Sequence, residues 1–368
     1  MIFLGAGASK PFEIKTLEEM SGDLIKIMKN KGYGEIVEKI TNGLRKFGMT
    51  PDFEAVYTIV EGLTKPRQTV KNNGPFTAYV CKELEKIKPK QNLMELPQVF
   101  RNFLYDECKF KSDHHNKIKE IYDKLFSICG QIGAVESRQV EGVEADKKPS
   151  VKVGYTIATT NYDMILESYL MMMGENYADG FRPTLERPLI KELDLTTYSY
   201  ARQRWLIKLH GSIWQFRYRN SIFKTVEDPK VISSIPVRIE EQMMIYPTGE
   251  KPILHYPYYD FYHVFKTQKW NNLIAIGYSF RDDPVNIAIL ENLERVKGSK
   301  LIVVNPKPAK VIQNLGIPAT SKFDERIIPV KGEFGFEDTF EKLKIALKVD
   351  NKPRYFARLP QHLKDNIS

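Results

Sequence analysis

Asn161 and His210 are the side chains best suited to chemistry at a polarised bond, and each stands where an apolar run ends. A carboxamide is both donor and acceptor, so Asn161 can hold a hydroxyl or a water without the cost of burying a charge. Histidine titrates near neutrality, so His210 can take a proton from that hydroxyl or water, help typically worth about 100- to 10,000-fold. Asp163 is a candidate for the same acid–base work; its plainer role is to cap the helix running through Ile165, Leu166 and Leu170. Asn161 and His210 each have a plainer role as well: Asn161 can make an Asx turn, and His210 can be a satisfied histidine at a strand end.

The elements that must position these residues follow from where the motifs fall. Gly5-Ala6-Gly7-Ala8-Ser9, Thr159-Thr160-Asn161-Tyr162-Asp163, Leu209-His210-Gly211-Ser212, Gly277-Tyr278-Ser279-Phe280 and Val304-Asn305-Pro306 each follow an apolar run that reads as a strand. Glycine and polar positions repeated at the carboxyl ends of strands are how an open α/β sheet builds a nucleotide crevice. Gly5, Ala6 and Gly7 suit close backbone approach of a pyrophosphate, since glycine lacks the Cβ that would collide, and Ser9 can donate to phosphate or only shape the turn. As a dinucleotide fingerprint the motif is defective. Lys10 stands where the third glycine belongs, and no second strand ending in an acidic residue follows about 20 positions on, which disfavours hydride transfer.

Thr16-Leu17-Glu18-Glu19 reads as a capping box opening a helix with Leu17, Met20, Leu24 and Met28 on one face. From Tyr33 to Gln131 the period stays helical, with Phe53, Val56, Tyr57 and Val60 at helical spacing, so residues 33–131 are expected to form an inserted helical module. The polar stretch 136–150 reads as a mobile loop. Strands are expected at Val153 to Ala158, Trp205 to Leu209, Leu273 to Ile276 and Leu301 to Val304, the last two joined as a βαβ unit by a helix capped at Asp283. Trp214, Phe216 and Tyr218 alternate with Gln215 and Arg217, then turn at Arg219-Asn220 into Ser221 to Lys224, which predicts a small hairpin on the sheet's edge. The expected fold is α/β, a Rossmann-like, mostly parallel sheet with the helical module and the hairpin excursion, over residues 1–350, followed by a basic tail, 351–368.

Composition sets outer limits. A hydrophobic fraction of 42% over 368 residues supports a sizeable core, and no apolar run approaches a membrane span. The start, Met1-Ile2-Phe3-Leu4, enters the glycine turn at once, which reads as a cytoplasmic chain without a signal peptide. Fifty-five Lys plus Arg against 46 Asp plus Glu give a formal charge of +9, so an anionic partner is permitted. Lys82, Lys86, Lys88 and Lys90 read as a solvated helix face, leaving nucleic acid at most an indirect partner. Cys81, Cys108 and Cys129 form no CxxC pair, and the adjacent His114 and His115 lack the spacing of helical metal ligands, so no metal is expected.

Taken in order, Gly5 to Ser9 with Thr16 and Glu19, Thr160 to Asp163, Lys208-Leu209-His210-Gly211-Ser212, Ile245-Tyr246-Pro247 and Ile276 to Asp282 resemble the sirtuin-type NAD-binding family, specifically its prokaryotic defence-type branch. The resemblance implies that Asn161 and His210, with Asp163, cleave NAD at the nicotinamide–ribose bond. Gly5, Ala6, Gly7, Ser9, Thr16, Thr160, Gly277, Tyr278, Ser279 and Asn305 would then bind NAD, Gly277 and Ser279 on its adenosine side and Asn305 at a ribose. The chain departs from the deacetylase branch: it has no four-cysteine zinc module and lacks the Asp-Phe-Arg element after Ser9. In the defence branch the activity is hydrolysis of NAD to nicotinamide and ADP-ribose, an antiviral effector function; because such an enzyme must be inactive in a healthy cell, self-assembly into an oligomer or a separate sensor or activator protein is expected to switch this chain on. The alternatives are a module that senses NAD or an ADP-ribose derivative without turnover, and an ADP-ribosyl- or acyl-transfer enzyme using the same residues.

Overall fold

The computed structural model describes residues 1–64, 93–109, 111–141, 156–184, 189–199, 204–218, 221–226, 242–245, 256–317 and 324–348. The lysine patch at 82–90, the turn at Arg219-Asn220, Tyr246, Pro247, His255 and the tail from 351 lie outside them. In chain order the elements are β1 (Ile2–Leu4), α1 (Leu17–Asn30), α2 (Gly34–Lys46), α3 (Phe53–Thr64), α4 (Leu96–Glu107), α5 (His115–Glu141), β2 (Thr156–Thr159), α6 (Ile165–Met172), β3 (Tyr177–Ala178), β4 (Phe181–Pro183) and β5 (Ile190–Leu193). There follow β6 (Arg204–Lys208), β7 (Gly211–Tyr218), β8 (Ser221–Thr225), β9 (Gln242–Met244), α7 (Tyr258–Thr267), β10 (Asn272–Ile276), α8 (Asp283–Arg295), β11 (Lys300–Asn305), α9 (Pro308–Gln313), β12 (Ile327–Lys331) and α10 (Glu337–Lys348).

The chain divides into two compact units, one of residues 1–8, 116–155 and 268–368, the other of 9–115 and 156–267. In the first, β1, β10, β11 and β12 pair side by side, all parallel. Apolar β-branched residues fill these strands: Ile274, Ile302, Val303 and Val304 are buried, as expected where a parallel sheet is covered on both faces. The crossover from β10 through α8 to β11 is the expected βαβ unit. Its helix begins one residue early, because the Asp282 carboxylate, not Asp283, accepts from Val285 N–H, and Pro284 sits in the first turn.

In the second unit β2, β6 and β3 run parallel, Thr156 to Thr159 opposite Trp205 to Lys208. A separate antiparallel sheet has the order β4, β5, β8, β7, β9. The expected hairpin is real, Phe216 opposite Phe223 and Tyr218 opposite Ser221, but it is not an excursion on the edge of the parallel sheet. It lies inside the second sheet, flanked by β5 and β9, which accounts for Gln215 being buried alongside Phe216 despite the alternation.

The described part of 33–131 consists mostly of helices. Residues 33–115 belong to the second unit and 116–131 to the first. Helices α1 to α4 share one core: Met20, Leu24 and Met28, then Val37, Ile40 and Leu44, then Phe53, Val56, Tyr57 and Val60, then Phe100 and Leu104. These are the one-face spacings of amphipathic helices. Met164, Ile213 and Met244 join that core and Tyr162 packs against it, so the helical layer supports the turn that carries Asn161. The stretch expected as a loop from 136 begins instead as the last turns of α5, which runs to Glu141 through residues of good helix propensity; residues 142–150 lie outside the described part.

Candidate functional site

The turn after β2 is built to present Asn161. Its N–H donates to Thr159 Oγ1 at 2.9 Å, and the Asp163 carboxylate accepts Ile165 N–H at 3.1 Å, opening α6. Tyr162 O accepts both Ile213 N–H and the Ser212 hydroxyl at 3.1 Å, and the Tyr162 hydroxyl donates to Ile245 O at 2.5 Å. His210 follows β6 after Leu209. Its backbone oxygen accepts Ile245 N–H at 2.9 Å, its side chain is buried, and its ring lies 6.3 Å from that of Tyr162. Gly211 then turns with φ +73, where a Cβ would stand 1.9 Å from Met243 O. Only glycine fits at this first position of β7.

Ser9 links this constellation together. Its hydroxyl donates to Asp163 Oδ2 at 2.7 Å and accepts from Asn161 Nδ2 at 2.9 Å. An ionised carboxylate only accepts, so Ser9 must spend its one hydrogen on Asp163 and can only accept from Asn161. The amide orientation follows: Nδ2 toward Ser9, Oδ1 away from it. Burial pushes the Asp163 carboxyl above the usual aspartate range, although Lys208 and the Ser9 hydrogen bond pull the other way. Ser9 was expected to donate to phosphate or only to shape the turn; its hydroxyl bonds Asp163 and Asn161.

In the first unit the glycine turn is locked to the loop after β10. Gly5 N–H donates to Ile276 O and Gly7 N–H to Gly277 O, each at 2.9 Å. A Cβ on Gly5 would stand 2.5 Å from Tyr278 Cα, and one on Gly7 2.8 Å from Gly277 Cα. Gly277 itself has φ +62 and would clash with Gly7. The absent Cβ atoms therefore serve the approach of two backbones, a reason that pyrophosphate binding does not require. Ala6 is exposed between them.

Of the remaining predicted ligands, Tyr278, Asn305 and Thr16 have protein partners of their own. The Tyr278 ring is buried between Phe3 and Phe280, at 4.6 and 4.8 Å, as a core side chain. Ser279 is exposed, with its carbonyl accepting from Asn314 Nδ2, while Asn286 Nδ2 holds Phe280 O at 2.9 Å and fixes that residue's left-handed φ of 54. Asn305 Oδ1 accepts Lys307 N–H. Thr16 forms the capping box with Glu19. Thr160 is half-buried between Thr159 and Asn161.

Sequence reasoning missed Glu167, Asp179 and Lys224, which with Lys208 form a buried ionic cluster. Their signal was present as charged residues set inside apolar segments, Lys208 after Leu206-Ile207 and Lys224 after Ile222-Phe223. Among the described residues no group of three or more His, Cys, Asp or Glu could hold a metal ion, and no helix is long and apolar enough to cross a membrane.

Residues 155–317 match the family model of the SIR2-like domain. No curated protein matches the chain. Similar solved structures include a complex of a Sir2 homolog with NAD, 14% identical over 95% of this chain and 90% of that one, with a TM-score of 0.40. A serine-to-alanine variant of a Sir2 homologue with ADP-ribose is 15% identical over 96% of this chain and 94% of that one, TM-score 0.35. Likenesses of this size place no side chain. Over residues 155–317 the chain carries a SIR2-like domain.

Proposed function

We propose that this protein is an NAD glycohydrolase: water replaces nicotinamide at the ribose C1′ carbon, giving nicotinamide, ADP-ribose and a proton. The observation that carries the reading is the Asn161–Ser9–Asp163 chain, which holds the Asn161 carboxamide in one orientation. As the C1′–N bond lengthens, positive charge spreads over the ribose, and a fixed carbonyl dipole costs nothing to reorganise at that moment. Asn161 Oδ1 accepts from a ribose hydroxyl or the attacking water, and His210 receives the proton released. Asp163 keeps Ser9, and through it Asn161, in place.

An enzyme that empties a cell's NAD pool serves as an effector of antiviral defence, and its activity then needs a switch, either self-association or a separate activating protein. Incubating the pure protein with NAD, with and without an acylated peptide, separates the possibilities. Nicotinamide and ADP-ribose formed at the same rate without peptide support the hydrolase. Release dependent on the peptide would replace it with acyl transfer, and tight NAD binding without any release would leave a sensor.

A further inference from the structure

Four charged side chains from four segments meet beside Asp163. Lys208 Nζ on β6 lies 3.2 Å from Glu167 Oε1 on α6, Lys224 Nζ on β8 lies 3.1 Å from the same oxygen, and Lys224 also lies 2.8 Å from Asp179 Oδ2 after β3. All four side chains are at most 3% exposed. Two ammonium groups balance two carboxylates. Such a cluster gains little net stability over apolar residues of the same volume, so its presence calls for another use. What it supplies that leucines could not is a donor with a fixed direction: Lys208 Nζ also donates to the backbone oxygen of Asp163.

That oxygen closes the turn two residues after Asn161. Burial pushes Glu167 up, but Lys208 and Lys224 together hold it below the usual glutamate range, so it stays ionised and anchors Lys208. Burial likewise pushes Lys224 down, and Asp179 and Glu167 more than offset it. We infer that Lys208 and Glu167 are positioning residues for Asn161: Glu167 fixes the Lys208 ammonium, and Lys208 clamps the Asn161–Asp163 turn through Asp163 O. The inference rests on the assignment of Asn161 to NAD cleavage for its effect on rate, but not for its effect on the turn.

The test compares wild type with Lys208→Met and with the double variant Lys208→Met/Glu167→Gln, which keeps the remaining Lys224 and Asp179 charges balanced. Hydrogen exchange of the 161–165 amides should quicken about tenfold or more in both while that of β10 and β11 is unchanged. Turnover of NAD should fall about tenfold or more in kcat with KM within about threefold, since the loss is one of orientation. Exchange at 161–165 and kcat both within about twofold of wild type in a folded double variant would overturn the inference. If wild type releases no nicotinamide, the hydrolase reading fails and the exchange arm alone decides the clamp. Wild type also supplies a check needing no variant: amides 161 and 165 should exchange as slowly as those of β6, and rapid exchange there overturns the clamp.

Discussion

The Ser9 hydroxyl donates to Asp163 Oδ2 at 2.7 Å across 154 positions of sequence, and this bond decides which way the Asn161 amide faces. Ser9→Ala removes the link, leaves a buried carboxylate oxygen without its donor at a cost of about 1–3 kcal/mol, and frees Asn161 to turn over. Nicotinamide release should fall about tenfold or more with the fold retained, read by initial rates beside circular dichroism. An unchanged rate would mean that the amide orientation is irrelevant.

The Asp163 carboxyl, pushed above its usual 3.8 by burial, sets a pH dependence with two signs. A carboxyl raised in the folded state binds its proton more tightly there than when unfolded. Its favourable contribution to stability is therefore full below the ordinary aspartate value and is lost as pH rises through the raised one. Activity runs the opposite way, because only the ionised form makes Ser9 a donor. The pH–rate profile should show an acid limb above the ordinary aspartate range, and Asp163→Asn should lose both the limb and most activity. Relative to that variant, wild type should lose stability in denaturant titrations as pH rises through the limb.

Glycine substitutions should sort by what a Cβ would meet. Gly277→Ala adds a left-handed residue, roughly 1–2 kcal/mol, to an overlap with Gly7, and Gly7→Val collides with Gly277; both should lower the melting temperature with or without NAD. Gly22, inside α1 with nothing within 4 Å of a new Cβ, should instead gain about 0.5–1 kcal/mol on change to Ala. A Gly7→Val protein of normal melting temperature that fails only to bind NAD would restore the pyrophosphate explanation.

Much of the parallel framework was legible because a buried parallel strand is an apolar run that stops at a glycine or a polar turn, as at Gly5, Asn161 and Gly277. The antiparallel sheet was half legible. Strands β7 and β8 alternate, whereas β4 and β9 have three residues each and β5, Ile190-Lys191-Glu192-Leu193, carries two charges side by side. In the site, Asn161 and His210 stood out by type and place, but Ser9 read as a phosphate donor or a turn residue because a hydrogen bond spanning 154 positions leaves no local pattern. The Lys208 cluster was hidden for the same reason, since its four members come from four separate segments.

Cys108 and Cys129 should be inert thiols. Burial raises both, and Asp163 adds to the effect at Cys108, while Cys129 is pushed to about 12. Alkylation of the native protein at pH 8, followed by peptide mapping, should leave both unmodified until denaturant is added. Fast labelling of Cys108 in native protein would place it on an open surface.

The most direct test of the account is the rate of nicotinamide release from NAD by wild type, Asn161→Ala and His210→Ala at matched concentration, with folding checked by circular dichroism. The expected result is equimolar nicotinamide and ADP-ribose from wild type, and losses of about 100-fold or more in each variant. Equal release from wild type and a correctly folded Asn161→Ala protein would contradict it.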